Sequence, residues 1–127
     1  MPAYGGNSGA IGTLVAGVPQ TVWSNEAVPA SGGNAQISVA VALHRSPNFP
    51  NVFSVEIKFA ADPGAFAVEL QTADTNEDAY YVVKATLNAG LNAAFAGRIE
   101  ATNIIAKFAR LRMATKTNAV NVTAKFF

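Results

Sequence analysis

The stretch VFSVEIKFAADPGAFAVELQTA, residues 52–73, constrains the fold more tightly than any other part of the chain. Phe53, Val55, Ile57 and Phe59 alternate with Ser54, Glu56 and Lys58, and Phe66, Val68 and Leu70 repeat the alternation after a turn. Successive side chains of a strand point to opposite faces, so each segment has one apolar and one polar face. A period of two gives a helix no continuous apolar stripe, so this region has to build sheets with an inside and an outside. Between the two segments, Pro63 sets a first corner and Gly64 accepts the positive φ that follows. That chemistry predicts either a hairpin or a turn passing between two sheets.

The rest of the chain follows the same pattern. Extended segments are expected at TVWS around Trp23, at AQISVAVAL (Ile37, Val39, Val41 and Leu43), at YYVVKATL, at RIEATNIIAKFARLRMAT and at AVNVTAKFF. Gly, Pro, Asn and Asp punctuate them in NEAVPASGGNA, HRSPNFPN, TADTNEDA and NAGLNAAFAG, which read as loops. Leu91 and Phe95 are expected to tuck beneath the last of these, or Leu91 to Ala96 to form a helical turn. Six to nine short strands with turn signals about every ten residues describe an all-β chain, a β-sandwich or a related barrel with long loops. The 127 residues suit one domain, 1–127. Residues 1–10 are small and Gly-rich and are expected to form a flexible arm, with Tyr4 its only large side chain.

Composition narrows the function classes. The absence of cysteine excludes disulfides, zinc-thiolate sites and a thiol nucleophile. Charged residues make up 13% of the chain, against a usual share of roughly 25%. A surface so neutral suits a protein largely covered by partners, itself a homo-oligomer (dimer or trimer). The net charge of +1 provides no general attraction to nucleic acid or to anionic membranes. The start, MPAYGGNSGAIGTLVAG, lacks the basic residues and apolar run of a signal peptide, and no apolar stretch approaches the roughly 18 residues of a membrane span. Synthesis in the cytoplasm is expected.

Candidate chemistry is sparse. Asp74, Asn76 and Asp78 have the D-x-N-x-D spacing that opens a calcium loop, but Ala79 stands where the glycine turn is needed and Ala85 where the bidentate Glu should be. A solvated loop is the expectation, and no metal or cofactor is assigned. His44, the only histidine, sits at the mouth of a Pro-rich loop and is not expected to serve a Ser-His-Asp triad. Glu56 and Glu69 occupy the polar faces of successive strands, where a glycosidase-like carboxylate pair could face across them. Alternation alone produces that placement, and the chain is read as non-enzymatic. Asn121-Val122-Thr123 matches a glycosylation sequon but reads as part of a strand.

Interface residues carry more weight. In AKFARLRM, Phe108, Arg110 and Arg112 share one strand face, with Ala109, Leu111 and Met113 on the other. Arg and aromatic residues are favoured at interface centres, so this face and Tyr4 are candidates for holding a partner. In AVNVTAKFF, Val120, Val122, Ala124 and Phe126 share a face, which puts Phe126 in the core. Phe127 then lies on the polar face beside Asn121, Thr123 and Lys125, a placement that predicts an interface.

From about Val52 to Phe127 the chain resembles small structural proteins of tailed bacteriophages. The resemblance rests on VFSVEIKFAADPGAFAVELQTADTNEDAYY, AGRIEATNIIAKFARLRM and NAVNVTAKFF. It implies a β-sandwich or jelly-roll virion component, most like a capsid decoration or cement protein that binds the major capsid protein. A tail, neck or baseplate component is the first alternative. The AKFARLRM strand also resembles the late strand of discoidin-like carbohydrate-binding sandwiches. That second alternative requires an exposed aromatic platform, for which Trp23, Tyr80 and Tyr81 are the candidates.

Overall fold

The computed structural model of the chain describes residues 10–15, 17–31 and 33–127. Nine strands lie among them: β1 (Ala10–Thr13), β2 (Gln20–Glu26), β3 (Ala40–Ala42), β4 (Asn51–Phe59), β5 (Phe66–Ala73), β6 (Val82–Leu87), β7 (Ala96–Ile104), β8 (Phe108–Lys116) and β9 (Val122–Phe126). Two short 3-10 turns, Gly33–Gln36 and Asp78–Tyr80, complete the regular structure. One sheet has the order β1-β3-β8-β5-β6, and the other β2-β9-β4-β7. The expected flexible arm lies outside the described residues, and Tyr4 with it, except that Ala10 opens β1.

The strand order has a simple origin. β5 pairs with β6, β4 with β7, β3 with β8 and β2 with β9, all antiparallel, which is the pairing of one long two-stranded ribbon folded back at the β5–β6 connection. Rolling that ribbon brings β8 against β5 and β9 against β4, and divides it into two facing sheets. The result is a jelly roll. β1 is added at the edge, parallel to β3.

Between the sheets lies the core that alternation specifies. Phe53, Val55, Ile57 and Phe59 point inward from β4, Val68 and Leu70 from β5, Ala109, Leu111 and Met113 from β8, and Val122, Ala124 and Phe126 from β9. Phe126 packs at 5.7 Å from Phe53, and half-buried Phe66 meets Phe59 edge-on at 5.3 Å. Burying each large side chain contributes about 1.5–3 kcal/mol.

Pro63 and Gly64 make the turn between sheets, not a hairpin, because β4 and β5 belong to different sheets. Asp62 Oδ1 accepts the Gly64 N–H at 2.9 Å, Gly64 has φ +70°, and the carbonyl of buried Pro63 accepts the Asn118 N–H.

Elsewhere the strands depart from simple alternation for local reasons. β3 is only three residues long because the Ser38 hydroxyl takes the Leu111 N–H that a backbone carbonyl would otherwise receive, leaving Ile37 a single bridge to Arg112. In β2, register shifts around Trp23 and a positive φ at Asn25 let the consecutive residues Val22 and Trp23 both face inward. Leu91 and Phe95 pack against the core beneath the β6–β7 connection, which is a turn closed by the Phe95 N–H on the Asn92 carbonyl.

Candidate interaction surface

Three connections, β3–β4, β5–β6 and β7–β8, meet at one end of the sandwich. The Leu43 N–H donates to the Lys107 carbonyl at 2.6 Å and the Lys107 N–H to Ala73 at 3.2 Å. Asn51 Nδ2 donates to the carbonyls of both His44 (2.7 Å) and Ile104 (3.0 Å), and Arg45 pairs with Asp74 at 3.1 Å. That hydrogen-bonded pair holds the Asp74 carboxyl below its ordinary pKa. These bonds stitch the end into one body. From it project Phe49, Val52, Tyr80, Val82 and Ile105, five of the eight exposed large apolar side chains among the described residues, with Phe49 75% exposed. Phe49 lies between Pro47 and Pro50, whose missing N–H groups keep it out of a ladder, so the sequence did contain its signal.

The β8 face is arranged differently from expectation. Arg110 is only 3% exposed, so the residue proposed to meet a partner is consumed inside its own chain. Its Nε donates to Gln71 Oε1 (2.9 Å), its Nη1 pairs with Asp78 (2.7 Å), and its guanidinium lies 3.7 Å from the centre of the Tyr81 ring. Tyr81 donates its hydroxyl proton to Asn76 Oδ1 at 2.6 Å. Burial pushes the Tyr81 phenol up to about 12, opposed by the charge of Arg110 and assisted by that of Asp78. Half-buried Arg112 binds Glu69 at 3.2 Å, and Gln71 Nε2 donates to the same oxygen. Residues 74–81 thus close over the outer face of β8 and β5. Half-buried Phe108 pairs with Ala73 near this end of the sheet.

Other candidates separate on folding. Glu56 and Glu69 lie on the outer faces of opposite sheets and cannot form a carboxylate pair, because the Asp62–Gly64 turn crosses the sandwich. Asp74, Asn76 and Asp78 each turn to a different partner, Arg45, Tyr81 and Arg110. No group of three acidic or histidine side chains is gathered for a metal ion among the described residues. His44 is exposed in the β3–β4 loop, and Asn121-Val122-Thr123 runs into β9 as expected. Trp23 is fully buried and Tyr81 is covered by Arg110, so Tyr80 alone of the supposed aromatic platform is exposed. Phe127 is partly exposed, and it exchanges backbone hydrogen bonds with Ser54, which puts its side chain on the outer face of the four-stranded sheet. No helix among the described residues is long and apolar enough to cross a membrane. Compared with known proteins, the chain matches no protein-family model and no curated sequence.

Proposed function

We propose that this chain is a non-enzymatic virion structural protein of a tailed bacteriophage, a decoration or cement protein that binds the major capsid protein and stabilises the shell. The observation that carries the proposal is the stitched end of the jelly roll, with Phe49, Val52, Tyr80, Val82 and Ile105 projecting from it. Covering such side chains is favourable by about 25 cal/mol per Å² of apolar surface. The ion pairs Arg45–Asp74 and Arg110–Asp78 are closed within the chain, so a partner covering this end strips few unpaired charges. Loops already joined by hydrogen bonds and the Arg45–Asp74 pair have less conformational entropy to lose on docking. As a dimer or trimer, the protein would engage a repeated lattice at several points at once, and modest contacts would add up to firm attachment.

The test is co-sedimentation of the purified protein with empty shells of the virus that encodes it. Binding is expected, with a loss of about tenfold or more when Phe49 and Val52 are both replaced by Ser. Absence of binding to shells would overturn the reading, and binding to isolated tails would replace it with the tail, neck or baseplate alternative. Attachment to a glycan array would favour the carbohydrate-binding alternative, for which Tyr80 is the remaining exposed candidate.

A further inference from the structure

We infer that the outer face of the four-stranded sheet holds a second binding site, a cationic groove for an acidic peptide segment of a partner protein. The inference does not depend on the virion reading and concerns a different surface from the apolar end. A cavity of ≈ 450 Å³ lies across β9, β4 and β7. Strand register builds its floor: Arg98 and Lys125 flank Glu56 on either side, and Lys58 stands opposite Thr123 in the next polar row. Asn92, from the β6–β7 connection, forms a wall.

Two features of this groove point to an anionic ligand. Lys58 and Lys125 make no ion pair among the described residues, and Arg98 has only Glu100, at 3.5 Å with both side chains exposed. Three cations and one carboxylate line the cavity, giving 3 − 1 = +2, whereas the whole chain sums to +1, so everything outside the lining sums to −1. Counting also Glu100, which pairs with Arg98, the group sums to 3 − 2 = +1, the net charge of the whole chain, so the net positive charge lies at this groove. The second feature is Asn92. Its Oδ1 accepts the N–H groups of Ala94 (2.9 Å) and Ala96 (3.0 Å), which fixes the amide orientation and leaves the NH₂ of this cavity-lining residue without a hydrogen-bond partner among the described residues.

The arrangement selects separate carboxylates over a phosphate chain. Glu56 stands in the middle of the cationic row and repels a continuous polyanion, and three cations neutralise too few phosphates to hold nucleic acid at physiological salt. Carboxylates spaced along a peptide can reach Lys58, Lys125 and Arg98 separately, while Glu56 accepts an N–H from the peptide backbone.

A titration of the isotope-labelled full chain with a short Asp/Glu-rich peptide at low salt, followed by amide NMR, tests this. Shifts are expected at residues 56–58, 96–98 and 123–125 and at the Asn92 side-chain amide. They should disappear with the Gln/Asn analogue of the peptide and weaken with added salt. Lys58→Gln combined with Lys125→Gln should reduce affinity about tenfold, with resonances elsewhere unmoved to show an intact fold. No shifts in the groove, or equal affinity in the double variant, would overturn the site. Tighter binding of inorganic phosphate or of a single-stranded oligonucleotide at the same residues would overturn the assignment to a peptide.

Discussion

Trp23 is fully buried, yet its indole N–H has no hydrogen-bond partner among the described residues. A buried donor without an acceptor costs about 1–3 kcal/mol, which offsets part of what burial of the ring contributes. Trp23→Phe, which deletes the donor and keeps most of the ring, is expected to stay within about 1 kcal/mol of the parent, whereas Trp23→Ala should lose about 3–5 kcal/mol to the cavity. Urea unfolding followed by circular dichroism measures both, since Trp23 is the only tryptophan and fluorescence would vanish with it. Arg110 is the opposite case, a buried charge held by a hydrogen bond to Gln71, an ion pair with Asp78 and the face of Tyr81. Arg110→Lys keeps the charge but loses the fork between Gln71 and Asp78 and the flat contact with Tyr81, and should cost about 1–3 kcal/mol in the same assay. Tyr81 ties this cluster to pH. Its phenol titrates near 10 when unfolded and about 12 when folded, so its contribution is complete below pH 10 and is lost as pH rises towards 12. Stability measured across that interval should fall less steeply in Tyr81→Phe.

Among the elements, the Asp62–Gly64 turn decides most. Gly64 has φ +70°, and a Cβ there would meet Thr117 Cβ at 3.1 Å and the Asn118 amide at 3.2 Å. Gly64→Ala is therefore expected to destabilise by about 1–2 kcal/mol through backbone strain and crowding against the β8–β9 connection. Thermal unfolding reads the loss, and an unchanged midpoint would show that the turn relaxes freely. Gly97, on β7, is crowded differently, since a Cβ there would meet only the tips of Leu87 and Leu91, which can rotate aside. Edge strand β6 shows how an element can satisfy the strand pattern without being buried. Val82 and Val83 are both exposed, because β6 has a hydrogen-bonded neighbour only in β5 and the opposite sheet covers only its later residues.

At the scale of the whole molecule, rolling one ribbon into two sheets puts loops distant in sequence side by side at each end. The proposed homo-oligomer makes Phe127 informative at this scale. Light scattering on the purified chain should give a dimer or trimer, and Phe127→Ser should shift it towards monomer. Substitution is the cleaner change, because deletion would also remove the backbone bonds with Ser54. A monomer in both would argue against a self-interface at this residue.

Alternation by itself determined that the chain is all-β, which side of β4, β5, β8 and β9 is core, and that Phe126 is inside and Phe127 outside. Those properties follow from the geometry of a single strand, in which neighbouring side chains must point apart. Tertiary structure alone decided which strands face each other, that Glu56 and Glu69 lie on opposite sides, and that Arg110 is covered by residues 74–81. It also decided that Arg98, Glu56 and Lys125 stand in one row across three strands. Pairing partners depend on how the ribbon rolls and on where connections cross between sheets, and no local pattern along the chain encodes those long-range choices.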